Sequence, residues 1–583
     1  MENGQKKIFD LFYGRRVFCI PEYQRSYSWG NRQRKDFLED IKNQRKEKDY
    51  FFGTVLFQED KETEDGYEKI SIVDGQQRLT TVVIFMKVLI DYLKDMGEKE
   101  LDTLERSYIK DGHKVKIRLQ SEDNEFFQTY IVGDGKNAKD FVKTPAQRRL
   151  LEAKEYFKKE LIIFINDKTN LLSMRDKLEN AKLLTYSVTN SAEATLIFET
   201  TNDRGKPLTD LEKIKSFLMY KVYVASNDES PDLLENIYSR FGEIYRILEK
   251  NEMSKKIDED SILQYHFIYN ENWNIKRDYQ KYLINIKDRI NNLLLEKENE
   301  KTLSYIDSYS ISLKEAFDVS EKIFSSNEES VMDLILLKRV AIIYPLLIKA
   351  YLLDKDELKS DFLKIARLLE IFIFRVIGFK TKRTQDVDSY LNGLARDFNG
   401  EFSDLIKKLK EYILEVLPDN RFREKLSVSN FYEDYQKNDI KYLFWKYENY
   451  LRSSGKAKYP KMSEKEFSEE GKKTGFSIEH IASQNPKVTI ETANFEELTE
   501  EFKEKFLHAL GNLTIDPQSA NSSKGRKPIE EKNSYYFKKA PLMTQNELDV
   551  FIKNKKWASE SIKERQEKVI LFALDYWNPL NIQ

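Results

Sequence analysis

The sequence contains one cysteine, Cys19, and only four histidines in 583 residues. A single thiol excludes an intramolecular disulfide and any metal site built on several cysteines, so we interpret Cys19 as a buried apolar side chain. Glycine and proline are also scarce, at 20 and 12 residues, and 34% of the residues are charged. This composition favours a mostly helical protein. A histidine-based reaction has four candidates, which are His113, His266, His480 and His508.

Neither sign of charge dominates, because 97 basic side chains are matched by 99 acidic ones. A basic coat over the whole chain is therefore excluded, and any nucleic-acid site must be local. With 40% hydrophobic residues the chain can build real cores, which excludes wholesale disorder. The first ten residues lack an apolar signal core, and the most apolar segments, 342–353 and 371–379, are too short and too charged to span a bilayer. We expect a cytoplasmic protein with no membrane partner.

The pattern along the chain predicts an α+β protein that is predominantly helical, in three domains. Residues 1–225 alternate strand-like and helical segments, residues 226–450 carry only helical periods, and residues 451–583 form a small α+β unit. A polar stretch at 452–475 is interpreted as a linker. The predicted strands are Arg16–Ile20, Gly53–Gln58, Lys69–Val73 and Lys182–Val188. The predicted helices are Asn31–Lys46, Gln76–Leu93, Gln147–Ile165, Leu211–Tyr223, Asp333–Leu353, Ser360–Ile377, Ser403–Leu417, Ile529–Lys539 and Gln545–Trp557.

Three motifs in the first region suggest a binding site. They are IPEYQRSYSW at 20–29, VDGQQRLTT at 73–81 and FETTNDRGKPLT at 198–209. In the second, a strand ends in Asp74-Gly75 and a helix begins, so backbone N–H groups are exposed to an anion. Arg78 can grip a phosphate with two hydrogen bonds, and Asp74 can hold a metal or orient water. The alternative is an ordinary capped turn, since Asp-Gly is common turn chemistry. No GxxxxGK[ST] motif occurs, so a P-loop is excluded.

Three further motifs lie near the C-terminus: SIEHIASQNP at 477–486, LGNLTI at 510–515 and NSSKGRKP at 521–528. A carboxylate beside a histidine, an Asn on a following strand and an Asn before a basic helix form the layout of a ββα-metal, His-Asn-His (HNH) nuclease. Phosphodiester cleavage needs a base to activate water and a metal to neutralise charge on the phosphate. His480 is the candidate base, since its ordinary pKa lies near neutrality. A surface pair at a strand end is the alternative for Glu479-His480.

The other roles in this motif set follow from side-chain chemistry. Glu479 and Asn521 would supply the hard oxygen ligands that suit Mg²⁺ or Mn²⁺. Asn512 would bridge backbone groups and keep the His480 loop in shape. Residues 521–540 carry six Lys and Arg against two Glu, so a DNA phosphate would be gripped there. The DNA-binding candidates are Lys524, Arg526 and Lys527. His508 is interpreted as a partly exposed structural residue on a helix before Leu510.

The motifs in the first region resemble, in the same order, the N-terminal domain of the GmrSD-like family of modification-dependent (type IV) restriction enzymes. That domain is related to the ParB and sulfiredoxin fold and carries PxYQRxYxW, DGQQR and FxxxNxRGxxLT. The resemblance implies that a nucleoside triphosphate binds here and is hydrolysed, with Asp74 in a catalytic role. It places the following residues at the nucleotide: Gln24, Arg25, Asp74, Gly75, Gln76, Gln77, Arg78, Asn202 and Arg204.

The C-terminal motifs resemble the HNH nuclease domain that accompanies this N-terminal domain in the same family, with His480 and Asn512 as its catalytic residues. They also resemble the HNH domain of the RNA-guided CRISPR effector. Two positions depart from the usual pattern. Ser483 stands where the family usually has a proline, which loosens a turn, and Asn521 stands where a third histidine ligand would lie.

Together the resemblances imply an NTP-regulated, divalent-metal-dependent endonuclease that cleaves modified double-stranded phage DNA in a prokaryotic defence system. The implied cofactors are Mg²⁺ or Mn²⁺ and a nucleoside triphosphate, with GTP, UTP, CTP and ATP all open, and a homodimer is also left open. One alternative is a defence enzyme of the same architecture that senses phosphorothioate or nicks DNA without selectivity. The other is a ParB-like DNA-binding switch with a vestigial nuclease.

Overall fold

The computed structural model of the chain describes residues 4–44, 50–164, 166–188, 208–226, 231–250, 253–274, 278–337, 341–379, 384–454, 460–463, 466–467, 475–484, 499–517, 521, 527, 531–532, 542–553 and 556–582. Within it the chain divides into two compact units, Met1–Phe324 and Ser325–Gln583. Helices predominate and a mixed sheet is present, so the expected α+β class is confirmed. The division into three domains stays a prediction.

A mixed six-stranded sheet forms the centre of the first unit, with the strand order β1-β8-β3-β4-β2-β7. Strands β3 and β4 pair antiparallel, whereas β2 and β8 run parallel to their inner neighbours. The four predicted strands are all present, and the short strands were not predicted. The strands are β1 (Gly4–Lys7), β2 (Arg16–Cys19), β3 (Phe51–Glu64), β4 (Tyr67–Asp74), β5 (Lys110–Asp111), β6 (Lys114–Val115), β7 (Ile117–Arg118) and β8 (Lys182–Val188).

Helices surround this sheet and continue beyond it to the end of the unit. They are α1 (Ile8–Phe12), α2 (Asn31–Asn43), α3 (Gln76–Asp95), α4 (Asp102–Leu104), α5 (Ser121–Phe126), α6 (Pro145–Leu161), α7 (Lys168–Asn180), α8 (Asp210–Ser226), α9 (Pro231–Glu249), α10 (Met253–Lys256), α11 (Glu259–Asn270), α12 (Tyr282–Leu295) and α13 (Asn299–Phe324). Every residue of α3 from Leu79 to Ile90 is buried, as expected of a helix that is apolar on most sides. It follows β4 directly, so the DGQQR turn is anchored to the core.

The second unit combines helices with a short hairpin. Its strands β9 (Phe476–His480) and β10 (Leu513–Pro517) pair antiparallel, with His480 opposite Leu513. Its helices are α14 (Glu329–Leu336), α15 (Tyr344–Leu353), α16 (Ser360–Phe372), α17 (Thr384–Asp397), α18 (Phe402–Val416), α19 (Asp419–Leu426), α20 (Phe431–Asp434), α21 (Lys437–Ser454), α22 (Glu500–Lys505), α23 (Met543–Asn546), α24 (Leu548–Phe551) and α25 (Ser559–Tyr576).

A buried carboxylate ties α21 to the C-terminal segment. Glu448 is fully buried on α21 and accepts hydrogen bonds of 2.8 Å from the backbone N–H groups of both Met543 and Thr544. The hydroxyl of Tyr447, also on α21, donates to Glu547 at 2.8 Å. Helix α21 therefore packs against the hairpin and the last helices of the unit.

Three sequence-based expectations in this unit are wrong. The predicted helix Asp333–Leu353 is two helices, since α14 ends at Leu336 and α15 begins at Tyr344 with Pro345 in its first turn, where proline is tolerated. The predicted helix Gln545–Trp557 is two short helices, α23 ending at Asn546 and α24 running from Leu548 to Phe551. The predicted linker begins too early, because α21 continues to Ser454. Of the predicted helix at 529–539, only residues 531–532 belong to the described part of the chain.

None of the helices in the described part of the chain combines the length and the apolar character needed to cross a bilayer.

Candidate functional site

The turn between β4 and α3 has a backbone conformation that glycine favours. Gly75 has a φ of 91°, and a Cβ placed on it would lie 3.0 Å from Cγ2 of Val55 on the neighbouring strand. Any larger residue would strain the backbone and push β3 away. The turn therefore places the first N–H groups of α3 at the carboxyl end of β4, an inner strand of the sheet.

Two glutamines of this turn hold the segment 21–29 in place. The Nε2 of Gln76 donates to the backbone oxygen of Arg25 at 3.0 Å. Gln77 donates through Nε2 to the oxygen of Ser26 at 3.1 Å and accepts from the N–H of Ser28 at 2.8 Å. The structure thus brings the first two sequence motifs together, with both glutamine side chains engaged by backbone.

Gln24 adds two further hydrogen bonds between the segment 21–29 and the rest of the first unit. Its buried Nε2 donates to the backbone oxygen of Val73 at 2.8 Å, and its own backbone oxygen accepts from Nε2 of Gln120 at 3.0 Å. Gln24, Gln76 and Gln77 together hold the segment 21–29 against the end of β4.

The charged residues of the turn, Asp74 and Arg78, lie on either side of the helix start. Arg78 donates through Nη1 to the backbone oxygen of Thr54 at 2.6 Å, and a Cβ on Gly53 would overlap its guanidinium. Burial raises the pKa of Asp74, while the Arg78 guanidinium and the N–H of Gly75 act in the opposite direction. An arginine beside the start of a helix is an arrangement that can bind a phosphate, and the carboxylate of Asp74 beside it could hold a metal or orient water.

Arg25 has partners that the sequence did not indicate. Its guanidinium forms ion pairs with Glu259, at the start of α11, and with Glu212 on α8, at 3.4 Å for the latter. Nearby, Nζ of the buried Lys215 donates to the backbone oxygen of Tyr23 at 3.0 Å. The sequence signals only the start of α8, because the spacing of Thr209 and Glu212 is typical of a helix cap, and it gives no sign of the contact with Arg25. The segment 21–29 is thus held by the turn and by two later helices.

Asn202 and Arg204 lie outside the described residues.

The second candidate site is built on the β9–β10 hairpin. Glu479 and His480 end β9, and Asn512 lies in the short turn just before β10, one position earlier than the strand on which we expected it. The backbone N–H of Ile481 donates to the oxygen of Asn512 at 2.9 Å. The hairpin therefore brings the EHI and LGN motifs side by side.

Asn512 makes the bridging contacts predicted for it. Its Oδ1 accepts from the N–H of Ala482 and from Nε1 of Trp557, both at 2.9 Å, and its Nδ2 donates to the backbone oxygen of Leu507 at 2.8 Å. The side chain is fully buried. Asn512 thereby fixes the loop after His480 to the segment before the LGN turn.

Replacing Asn512 with Ala should destabilise the second unit. The N–H of Ala482 and the indole N–H of Trp557 would lose their acceptor, and each unsatisfied buried donor costs about 1–3 kcal/mol. We expect a lower melting temperature in differential scanning calorimetry. Asn399→Ala is the control, because that side chain is exposed and accepts a local hydrogen bond from the N–H of Glu401. Equal melting temperatures for the two variants would show that the bridge contributes nothing.

Glu479 is paired with a lysine that sequence reasoning assigned only to a general basic segment. Nζ of Lys532 lies 2.7 Å from Oε1 of Glu479 and also donates to the backbone oxygens of His480 at 3.0 Å and Ile481 at 3.2 Å. The lysine is fully buried and Glu479 is 4% exposed. A buried ammonium with three acceptors fixes both the carboxylate and the end of β9.

His480 lies in a closed environment. It is buried, its Nε2 is 3.3 Å from Nδ1 of His508, and Nε2 of Gln484 is 3.0 Å from its Nδ1. The ring of Tyr432 packs edge-on at 4.5 Å. Burial lowers the pKa of His480 to about 3, with further contributions from His508, Lys532 and Lys437. His480 is therefore neutral near pH 7, as a proton acceptor must be.

His508 corrects one expectation. It is partly exposed, as predicted, but it lies in the turn after α22 and faces His480, so it belongs to the site. The spacing to the LGN motif gave no signal of this contact.

The chemistry of Glu479 and Asn521 suits a hard cation. Asn521 donates through Nδ2 to Oγ of Ser477 at 2.8 Å and to the backbone oxygen of Ile478 at 3.3 Å, so it lies beside the strand that carries Glu479. Carboxylate and amide oxygens are ligands that Mg²⁺ and Mn²⁺ accept, with water and phosphate completing the shell. Among the described residues no three His, Cys, Asp or Glu side chains cluster as a metal site. Lys524 and Arg526 lie outside the described residues, and Lys527 is partly buried.

Two family models match the chain. Residues 8–219 match the N-terminal domain of the GmrSD restriction endonuclease, and residues 417–570 match the C-terminal domain of GmrSD restriction endonucleases. Together the two matches cover more than half of the chain, and each contains one of the two candidate sites. No curated protein matches the chain.

Proposed function

Since the chain belongs to the GmrSD family of restriction endonucleases, we propose that it is a DNA endonuclease whose cleavage site is the β9–β10 hairpin and whose activity is regulated by a nucleoside triphosphate. The observation that carries this proposal is the placement of the buried His480 at the end of β9, next to Glu479 and on the loop that Asn512 holds. It lies within the region that matches the C-terminal domain of the family.

In this mechanism His480 takes a proton from the attacking water while Asn512 holds the loop that carries it. Lys532 keeps the end of β9 in place through three hydrogen bonds. A divalent cation, when bound, supplies positive charge for the phosphate and the leaving oxygen. Glu479 and Asn521 are the residues that would hold it.

The nucleotide would bind at the turn between β4 and α3. Arg78 would contact a phosphate, and the helix N–H groups after Gly75 would donate hydrogen bonds to its oxygens. Asp74 would orient the attacking water or hold a metal. Gln24, Gln76 and Gln77 would hold the segment 21–29 in a fixed position relative to the turn. Because Arg25 connects this segment to α8 and α11, a nucleotide at the turn can affect the position of those helices.

The biological role we propose is defence of a prokaryote against phage DNA that carries modified bases, with Mg²⁺ or Mn²⁺ as the metal. The test is cleavage of DNA by the purified full chain after removal of metal with a chelator. Activity should be absent, should return on adding Mg²⁺ or Mn²⁺, and should change when the triphosphate is omitted. Cleavage that persists in the chelator would refute metal dependence.

The basic segment gives a separate prediction about DNA affinity. Replacing Lys524, Arg526 and Lys527 together with Gln should weaken binding to all duplex sequences alike, because phosphate contacts carry no sequence information. Each lost contact should flatten the plot of log affinity against log salt by about 0.9. Fluorescence anisotropy with labelled duplexes at several salt concentrations measures this slope.

The control for this variant removes the same number of charges from other elements. Arg32, Lys35 and Lys407 are exposed and lie on α2 and α18, so their joint replacement with Gln matches the change in net charge. We expect the control to retain the wild-type slope. Equal slopes for wild type and the 524–527 variant would place the DNA contacts elsewhere.

A further inference from the structure

We infer that His508 is a positioning residue that orients His480 for proton abstraction, an inference that rests on the proposed nuclease function. The two rings meet edge to face, with their centroids 5.3 Å apart and an interplanar angle of 88°. This places Nε2 of His480 3.3 Å from Nδ1 of His508. A hydrogen bond between two ring nitrogens requires one to carry the hydrogen and the other a lone pair.

The contacts around the pair decide which nitrogen carries the hydrogen. Nε2 of Gln484 can only donate, and it lies 3.0 Å from Nδ1 and 3.1 Å from Nε2 of His480. The assignment that gives every donor its own acceptor has Gln484 donating to Nδ1 and His480 donating from Nε2 to His508. His508 then fixes the tautomer of His480 in which Nδ1 holds the lone pair.

That tautomer is the one the reaction needs. A water molecule that replaces the Gln484 amide at Nδ1 can pass its proton to this lone pair while its oxygen forms a bond to phosphorus. The ester bond between phosphorus and the leaving sugar oxygen breaks in the same displacement, and that oxygen takes a proton from solvent water. The hydrogen on Nε2 stays where it is, bonded to His508. Without His508 the imidazole could carry its hydrogen on either nitrogen and rotate, so only part of the molecules would be ready to react.

Asn512 and Tyr432 hold the segments that carry His480 and His508. Asn512 holds Ala482 after one histidine and Leu507 before the other, so a single side chain sets the spacing of the two segments. The N–H of Tyr432 donates to the backbone oxygen of His508 at 2.9 Å, and its ring packs on both imidazoles. The His480–His508 pair is therefore held in place by the buried side chain of Asn512 and by the backbone and ring of Tyr432.

The test compares His508→Ala with His508→Asn. The amide oxygen of Asn can lie close to the place of Nδ1 and accept the same hydrogen bond, whereas Ala cannot. We expect Ala to lower kcat for DNA cleavage by about 10-fold to 100-fold, by analogy with hydrogen-bonded partners of metal-ligating histidines, with KM for DNA unchanged. Asn should recover most of the loss. His113→Ala, which removes an exposed histidine in the first unit, should match the wild type.

Nitrogen-15 NMR of the imidazoles provides a readout that needs no cleavage, since the chain has only four histidines. The wild type should show His480 with hydrogen on Nε2, and His508→Ala should show a mixture of tautomers. Unchanged kcat in the Ala variant, or a failure of Asn to recover activity above Ala, would overturn the inference. If the tautomer changes as expected but the wild type cuts no DNA, the proposed function fails while the hydrogen bond between the two rings stands.

Discussion

His480→Ala should remove DNA cleavage and leave NTP hydrolysis at the wild-type rate. Loss of a catalytic base typically lowers the rate by about 10²–10⁴, enough to make cleavage invisible on an ordinary gel. The hairpin that carries His480 belongs to the second compact unit and the DGQQR turn to the first, so the substitution leaves the turn unchanged. Gel assays of linear DNA and phosphate release on the same preparation measure the two activities.

The matched control for this substitution is His266→Gln, which alters a buried histidine of the first unit that is not among the residues of either candidate site. His266 bonds to Oγ of Ser312 at 2.8 Å within the helices of the first unit. It should cleave DNA like the wild type as long as it folds. If His480→Ala cleaves DNA at the wild-type rate, the nuclease site is elsewhere.

Asp74→Ala or Arg78→Ala should abolish NTP hydrolysis and the effect of the nucleotide on cleavage. Arg78 lies in the first turn of α3, and its loss would remove the guanidinium proposed to contact a phosphate. Both side chains are only partly buried, so the chain should keep its fold, which circular dichroism can confirm. Cleavage that needs no nucleotide should persist in both variants.

Lys94→Ala provides a control on the same helix, because Lys94 lies at the opposite end of α3 and is exposed. It should hydrolyse the nucleotide at the wild-type rate. Wild-type hydrolysis by both Asp74→Ala and Arg78→Ala would place the nucleotide at another site.

The strands of the first unit could be predicted because their residues are short β-branched and aromatic runs bounded by turn residues. KLLTYSV and KISIV are found as β8 and β4. Helix boundaries were less accurate where apolar periodicity continued across an interruption. The period from Asp333 to Leu353 carries no sign of the break except Pro345, and proline is as compatible with a first turn as with an end.

The site could be predicted only as far as local sequence extends. Gly75, Asn512 and the ends of β4 and β9 depend on residues next to them, and the structure places them at the expected turns or one position away. The partners of these residues come from distant parts of the chain. Lys532 reaches Glu479 across 53 residues and Glu259 reaches Arg25 across 234, so only tertiary packing brings them together.

The most direct test of the central claim is digestion by the wild-type chain of phage DNA with defined base modifications beside matched unmodified DNA, with and without nucleoside triphosphate and Mg²⁺ or Mn²⁺. We predict cleavage of the modified DNA that requires the metal and responds to the triphosphate, with unmodified DNA intact. Cleavage of both DNAs alike would point to a non-selective nuclease. The absence of cleavage on either DNA, with every metal and triphosphate present, would contradict the account.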